Sequence, residues 1–116
     1  SDSARFFDEY SSKFNKFDRE ANKQLVLDSV NWVKRELKRK GFCSAYDYYK
    51  YLGIFDKTTE CPESLHILGW EYGDDIDLGI YNLGKYLQSE YYNLTSKEQA
   101  ILLDPNFKVL PTYLVD

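Results

Sequence analysis

The chain has 116 residues, 43% of them hydrophobic and 29% charged, the size and balance of one globular domain that folds without metal or disulfides. Its net charge of −4 is unevenly spread: residues 1–40 hold ten Lys or Arg against seven Asp or Glu, and residues 41–116 hold five against twelve. An acidic body argues against nucleic acid as a partner, because nonspecific duplex binding needs several phosphates neutralised.

No apolar run approaches the roughly 18 residues of a membrane span, and no stretch has a signal-peptide pattern. The chain has no methionine, not even at position 1, so it is expected to be processed or to form the C-terminal part of a longer chain. Any membrane attachment would then come through an upstream segment.

Residues 1–18 read as a packing arm. The aromatics at 6, 7, 10, 14 and 17 have helical spacing, but Ser11, Ser12 and Asn15 interrupt it. Phe6, Phe7 and Tyr10 are expected to dock on the body.

A long helix is predicted over about 21–40. Val26, Val30, Val33 and Leu37 step by 4, 3 and 4 and form one apolar stripe, widened by Leu25 and Trp32. Asp18 and Glu20 stand near its start; Lys34, Arg35, Lys38, Arg39 and Lys40 gather towards its end, as the macrodipole favours. Gly41 and Phe42 suit a Schellman stop. The basic run is the one sequence patch able to attract an anion, but capping explains it without a ligand.

Ser44 can cap a second helix over about 45–52, with Asp47 three residues on and Gly53 at its end. The segment 54–64 reads as a loop. Beyond it the period changes. Residues 67–72 and 76–81 flank Gly73-Asp74-Asp75, and Ile76, Leu78 and Ile80 alternate with Asp77, Gly79 and Tyr81, predicting a tight hairpin. Residues 82–93 suit a short helix. Gln99–Leu103 is predicted as a third strand, although Thr95 and Glu98 also spell a capping box that would start a helix there. The tail 107–115 reads as extended, and Pro111 disfavours a central strand. Helices first and strands later imply an α+β domain, with the helices packed on a small antiparallel sheet.

Blocks spread along the chain carry a resemblance. Ala-Arg-Phe-Phe-Asp-Glu at 4–9, Lys-Gly at 40–41 and Ala-Tyr-Asp-Tyr-Tyr-Lys-Tyr-Leu-Gly at 45–53 are followed by Gly-Trp at 69–70, Asp-Leu-Gly-Ile-Tyr at 77–81 and Ile-Leu-Leu-Asp-Pro-Asn at 101–106. In this order they resemble an uncharacterised family of proteins encoded by phages and prophages of Gram-positive gut bacteria. The resemblance implies a soluble C-terminal domain whose longer relatives carry upstream apolar segments. It places the domain in the host bacterial cytoplasm or the phage virion. The family has no established activity, so no catalytic residues carry over. The chain departs from the family pattern at 82–97, where its tyrosine-rich stretch is longer.

The constellations that could carry chemistry have plainer explanations. Glu71, Asp74, Asp75 and Asp77 could bind a divalent cation or do acid–base work, but they match no EF-hand spacing and suit a solvated turn. Cys43, Cys61 and His66 do not make a zinc set. Cys43, His66 and an Asp could meet in space, yet a lone His beside a strand is usually structural. No phosphate-binding glycine loop occurs, and no cofactor is implied. The formal sequon at Asn93 has no bearing on a bacterial virus.

What stands out is 17% aromatic content, including eleven Tyr. Tyr46, Tyr48, Tyr49 and Tyr51 occupy both faces of a two-turn helix, so one small core cannot take them all. Tyr46, Tyr51, Tyr86, Tyr91 and Tyr92 are therefore the candidate partner-binding residues, since Tyr and Trp are enriched at interfaces. The expected function is a non-enzymatic protein-interaction module with a host or phage protein partner. A virion or membrane-associated structural protein is the alternative, and a carboxylate- or metal-dependent hydrolase the second.

Overall fold

The computed structural model describes residues 2–55, 60–80 and 99–115. It is an α+β fold in which strands β1 (Arg5–Phe7), β2 (Phe42–Ser44), β3 (Leu68–Glu71), β4 (Ile101–Leu103) and β5 (Lys108–Val109) form two small antiparallel sheets. Helices α1 (Arg19–Lys40), α2 (Ala45–Tyr51) and α3 (Thr112–Val115) complete it, with a 3₁₀ turn at Glu63–His66.

The helix ends follow the sequence. The Asp18 carboxylate accepts from the Ala21 N–H, closing the start of α1. At the other end Gly41 takes φ 89°, a left-handed turn that favours glycine, and its N–H donates to the Leu37 carbonyl. Ser44 Oγ accepts from the Asp47 N–H and so caps α2. Along α1, Val26, Val33 and Leu37 are buried as the stripe predicts, and Val30 is half-buried.

The core is aromatic at its centre. Tyr48 meets Trp70 edge-on at 5.3 Å, Trp70 tilts against Phe107 at 4.7 Å, and Tyr49 meets Phe107 edge-on at 5.7 Å. These are the geometries that aromatic quadrupoles prefer, and each pair adds about 0.5–1.5 kcal/mol beyond burial. Tyr48 and Tyr49 are both fully buried, so two of the four α2 tyrosines belong to the core.

The arm differs from its prediction. Residues 5–7 form β1, which pairs antiparallel with β4 in the register Phe6↔Leu102. Strand alternation therefore buries Phe7 and turns Phe6 outward, and Tyr10, in the turn beyond, is 87% exposed. Only Phe7 of the three docks on the core. Much of the remaining docking is polar. The buried Asn22 side chain accepts from the Asn15 N–H and donates to the Asn15 carbonyl, both at 2.7 Å. Tyr49 donates its hydroxyl to the Ser3 carbonyl, and the Ser12 N–H donates to the Gly53 carbonyl.

The hairpin is corrected too. β3 forms where expected and Gly73 makes the turn at φ 98°, but residues 74–80 do not return along β3. Both edges of β3 are already taken: β2 pairs on one side (Cys43↔Trp70) and β5 on the other (Leu68↔Val109). Ile80 instead bridges Leu103. The alternation at 76–80 still has its packing consequence, since Leu78 is buried while Asp77 is exposed. β4 bears out the strand predicted within 99–103, and α3 adds a helical turn to the predicted extended tail. The helix suggested at 82–93 and the capping box at 95–98 lie outside the described residues.

Candidate functional site

The candidate site is a cleft of about 410 Å³ where the arm, α1 and α2 meet. α1 contributes Trp32, Glu36, Arg39 and Lys40, which at offsets of 4, 7 and 8 share one face. α2 contributes Asp47, Lys50 and Tyr51 at offsets of 3 and 4, again one face, and the arm contributes Lys13. The Trp32 and Tyr51 rings stack at 4.5 Å with an interplanar angle of 14°. The Lys13 ammonium lies 4.7 Å from the Tyr51 ring centroid, within cation–π range.

Two ion pairs line the cleft, one within α1 and one between α1 and α2. Arg39 donates twice to the Glu36 carboxylate at 2.8 Å, a bidentate contact whose hydrogen bonds hold Glu36 below the usual carboxylate range. Lys40 pairs with Asp47 at 2.9 Å and so joins the end of α1 to the start of α2. Lys13 and Lys50 are exposed and have no carboxylate partner among the described residues.

The predicted partner-binding tyrosines fall in different places. Tyr51 is in the cleft. Tyr46 lies five positions earlier, about 140° round the helix, where its ring packs 4.3 Å from that of His66. Tyr46 and Tyr51 are both half-buried; Tyr46 does not line the cleft, although the Lys50 ammonium lies 5.8 Å from its ring centroid. Tyr86, Tyr91 and Tyr92 lie outside the described residues. Sequence reading missed Trp32 and Lys13 as site residues. Trp32 stands one residue from the buried Val33, about 100° round α1, at the edge of the apolar stripe it widens, where it is half-buried against the core and also meets Tyr51.

The acidic turn is engaged internally. Lys108 Nζ lies 2.7 Å from Glu71 and 3.1 Å from Asp74, and these two hydrogen bonds raise the Lys108 pKa. Asp74 also accepts from the Glu71 N–H, and Asp77 accepts from the Gly79 N–H. A cation binding Glu71 and Asp74 would first have to displace the ammonium. Among the described residues no three His, Cys, Asp or Glu side chains converge as a metal set.

The thiols are free and differ in surroundings. Cys43 is fully buried, and desolvation pushes its thiol up to about 12, so it is not a nucleophile at neutral pH. His66 is exposed and stacked on Tyr46. Cys61 lines a second cleft of about 500 Å³ with Glu63, His66, Ile67 and Val115; partial burial raises its pKa as well. No thiolate is prepared in either place.

No protein-family model matches the chain, and comparisons with curated proteins and with solved structures also find no match.

Proposed function

We propose that this domain is a non-enzymatic protein-interaction module of a phage-encoded protein, acting in the host cytoplasm or the virion, and that the partner docks on the cleft built around Trp32 and Tyr51. The observation that carries the reading is that stacked pair. Two large amphipathic rings, half-buried against the edge of the core, also line a concave junction of three elements, and Trp and Tyr are enriched among the few residues that carry most of the binding energy at protein interfaces. The charged residues round the rings suit a polar rim that fixes orientation. Phage origin rests on the resemblance of the sequence blocks. Among the described residues no helix is long and apolar enough to cross a membrane.

The test is affinity capture from infected host cells with the tagged full-length chain, quantified against Tyr51→Ala and Tyr113→Ala. Tyr113 is 78% exposed on α3 and lies outside the cleft, so it controls for general stickiness. The expected result is a protein retained by the wild type and by Tyr113→Ala but lost with Tyr51→Ala. Identical recovery by all three chains would overturn the reading. Recovery of the chain's own copies alone would favour the virion or membrane-associated structural alternative.

A further inference from the structure

We infer that the Trp32–Tyr51 cleft recognises a short acidic peptide segment, with Lys13 and Lys50 selecting for its carboxylates; the inference rests on the protein-interaction reading. The charge inventory of the cleft leads there. It holds four cations and two carboxylates, and Arg39 and Lys40 are already matched with Glu36 and Asp47. Lys13 and Lys50 remain, exposed and without carboxylate partners among the described residues, Lys13 against the Tyr51 ring and Lys50 5.8 Å from the Tyr46 ring centroid, so the described walls carry two surplus positive charges in a chain whose net charge is −4. A positive cleft on an acidic molecule is a local departure from its average, and its field draws negative groups to one place.

Of the anionic macromolecules, a peptide fits better than a nucleic acid. Nucleic acids bind nonspecifically by neutralising a run of phosphates, and two cations without carboxylate partners among the described residues, beside an acidic body, do not provide that. Single strands also need open aromatic faces for base stacking. The Tyr51 ring is instead engaged by the Trp32 indole and by the Lys13 ammonium. A peptide asks for less: carboxylates within reach of the two ammonium groups and an apolar side chain against the indole edge. Exposed ion pairs are worth up to about fivefold in affinity each, so binding by this route is weak, rapid and sensitive to salt.

The test titrates the full chain with a fluorescein-labelled Glu-rich peptide containing one Phe, followed by anisotropy. Expected is saturable binding that weakens as salt rises, by about fivefold or more in the Lys13→Gln, Lys50→Gln double variant. The Lys34→Gln, Lys38→Gln variant removes the same charge outside the cleft and is expected to change affinity less than about twofold. Acrylamide quenching gives a second readout, because Trp70 is buried while Trp32 is half-buried, and bound peptide should shield Trp32. All four substituted lysines are exposed, so the variants keep the fold. Equal losses in the two double variants, equal binding of a Gln-for-Glu peptide, or tighter binding of an oligonucleotide would each overturn the inference. A Tyr51-dependent captured protein with no acidic-peptide binding leaves the interaction reading standing and removes this one; peptide binding with no captured protein does the reverse.

Discussion

Trp70 and Asn106, 36 residues apart, are joined by a 2.7 Å hydrogen bond from the indole Nε1 to the amide Oδ1. The same Oδ1 accepts from the Asp77 N–H, Nδ2 donates to the Asp75 carbonyl, and the Asn106 N–H donates to the Asp77 carbonyl. One amide thus ties the core indole, the acidic turn and the approach to β5 together. Asn106→Ala strands the indole N–H of a residue that is 1% exposed. The expected cost is about 2 kcal/mol, seen as a fall of roughly 8 °C in Tm. Asn106→Asp keeps the acceptor but loses the donor and adds charge beside Asp75 and Asp77, so it also destabilises. A wild-type Tm for Asn106→Ala would show that this clamp contributes nothing.

Ser29 and Tyr48 form the buried polar contact between α1 and α2. Ser29 Oγ donates to the Val26 carbonyl, so the 3.0 Å contact with Tyr48 must have the tyrosine hydroxyl as donor. The two deletions are therefore unequal. Tyr48→Phe leaves Ser29 satisfied and costs about 0.5–1 kcal/mol, whereas Ser29→Ala leaves a buried hydroxyl without its acceptor and costs about 1–3 kcal/mol. The double variant should be more stable than Ser29→Ala alone. Urea denaturation of the four proteins measures this cycle, and simple additivity would show that the contact is not formed.

Local features were legible in the sequence where the physics is local. The Gly41 stop and the Ser44–Asp47 cap each involve residues within four positions of one another, and both are present; Asp18, expected near the helix start only for its charge, also caps α1. Pairing was not legible, because which strand joins β3 depends on which edges are free. Cys43, before β3 in the sequence, and Val109, well after it, fill those edges, and the alternating Ile76–Ile80 segment buries Leu78 without joining β3. The arm was misread for a related reason: a three-residue strand such as Arg5–Phe7 is too short for its period to stand out from helical spacing. The site was half legible. Tyr51 emerged as one tyrosine too many for the core, but Lys13 and Trp32 reach it from two other elements, and no spacing rule links them.

Alkaline pH should unfold the domain through groups that burial keeps protonated. Desolvation raises the pKa of Tyr48 and Tyr49 well above the ordinary 10.0 and that of Cys43 from 9.0 to about 12. Each folded-state value exceeds its unfolded value. Their contribution is therefore complete below pH 9 and is lost as pH rises, first through the thiol and then through the phenols. The denaturation midpoint should fall steadily above pH 9, and Tyr48→Phe should flatten the upper part of that decline. Tyrosinate absorbance should show at least two phenols, Tyr48 and Tyr49, that ionise only on unfolding. Ionisation of all tyrosines before the loss of helix signal would contradict this.

The two thiols should separate by accessibility. Cys61 is partly exposed and Cys43 is fully buried. A thiol-exchange reagent at pH 8 is expected to modify one cysteine in the native protein, slowly because its pKa is also raised, and two in denaturant. Cys61→Ser should abolish the native reaction. Two native equivalents, or none in denaturant before reduction, would contradict free thiols in these surroundings.

Gly53 should control the cleft from outside it. It adopts φ 76°, and a Cβ built there would overlap Ser12 Oγ and approach the Lys13 backbone nitrogen to 2.7 Å. The Ser12 N–H also donates to the Gly53 carbonyl at 2.8 Å, so this glycine is where the arm is pinned beside α2. Gly53→Ala combines left-handed strain of about 1–2 kcal/mol with displacement of residues 12–13. Lys13 would then leave the Tyr51 ring, although Lys13 itself is unchanged. The expected result is a lower Tm together with increased acrylamide quenching of Trp32, as the arm withdraws from the cleft. Asn22→Ala loosens the arm through another polar anchor, at Asn15, and should reproduce the quenching change. A loss of stability in both variants with Trp32 as shielded as before would mean that the arm does not position the cleft.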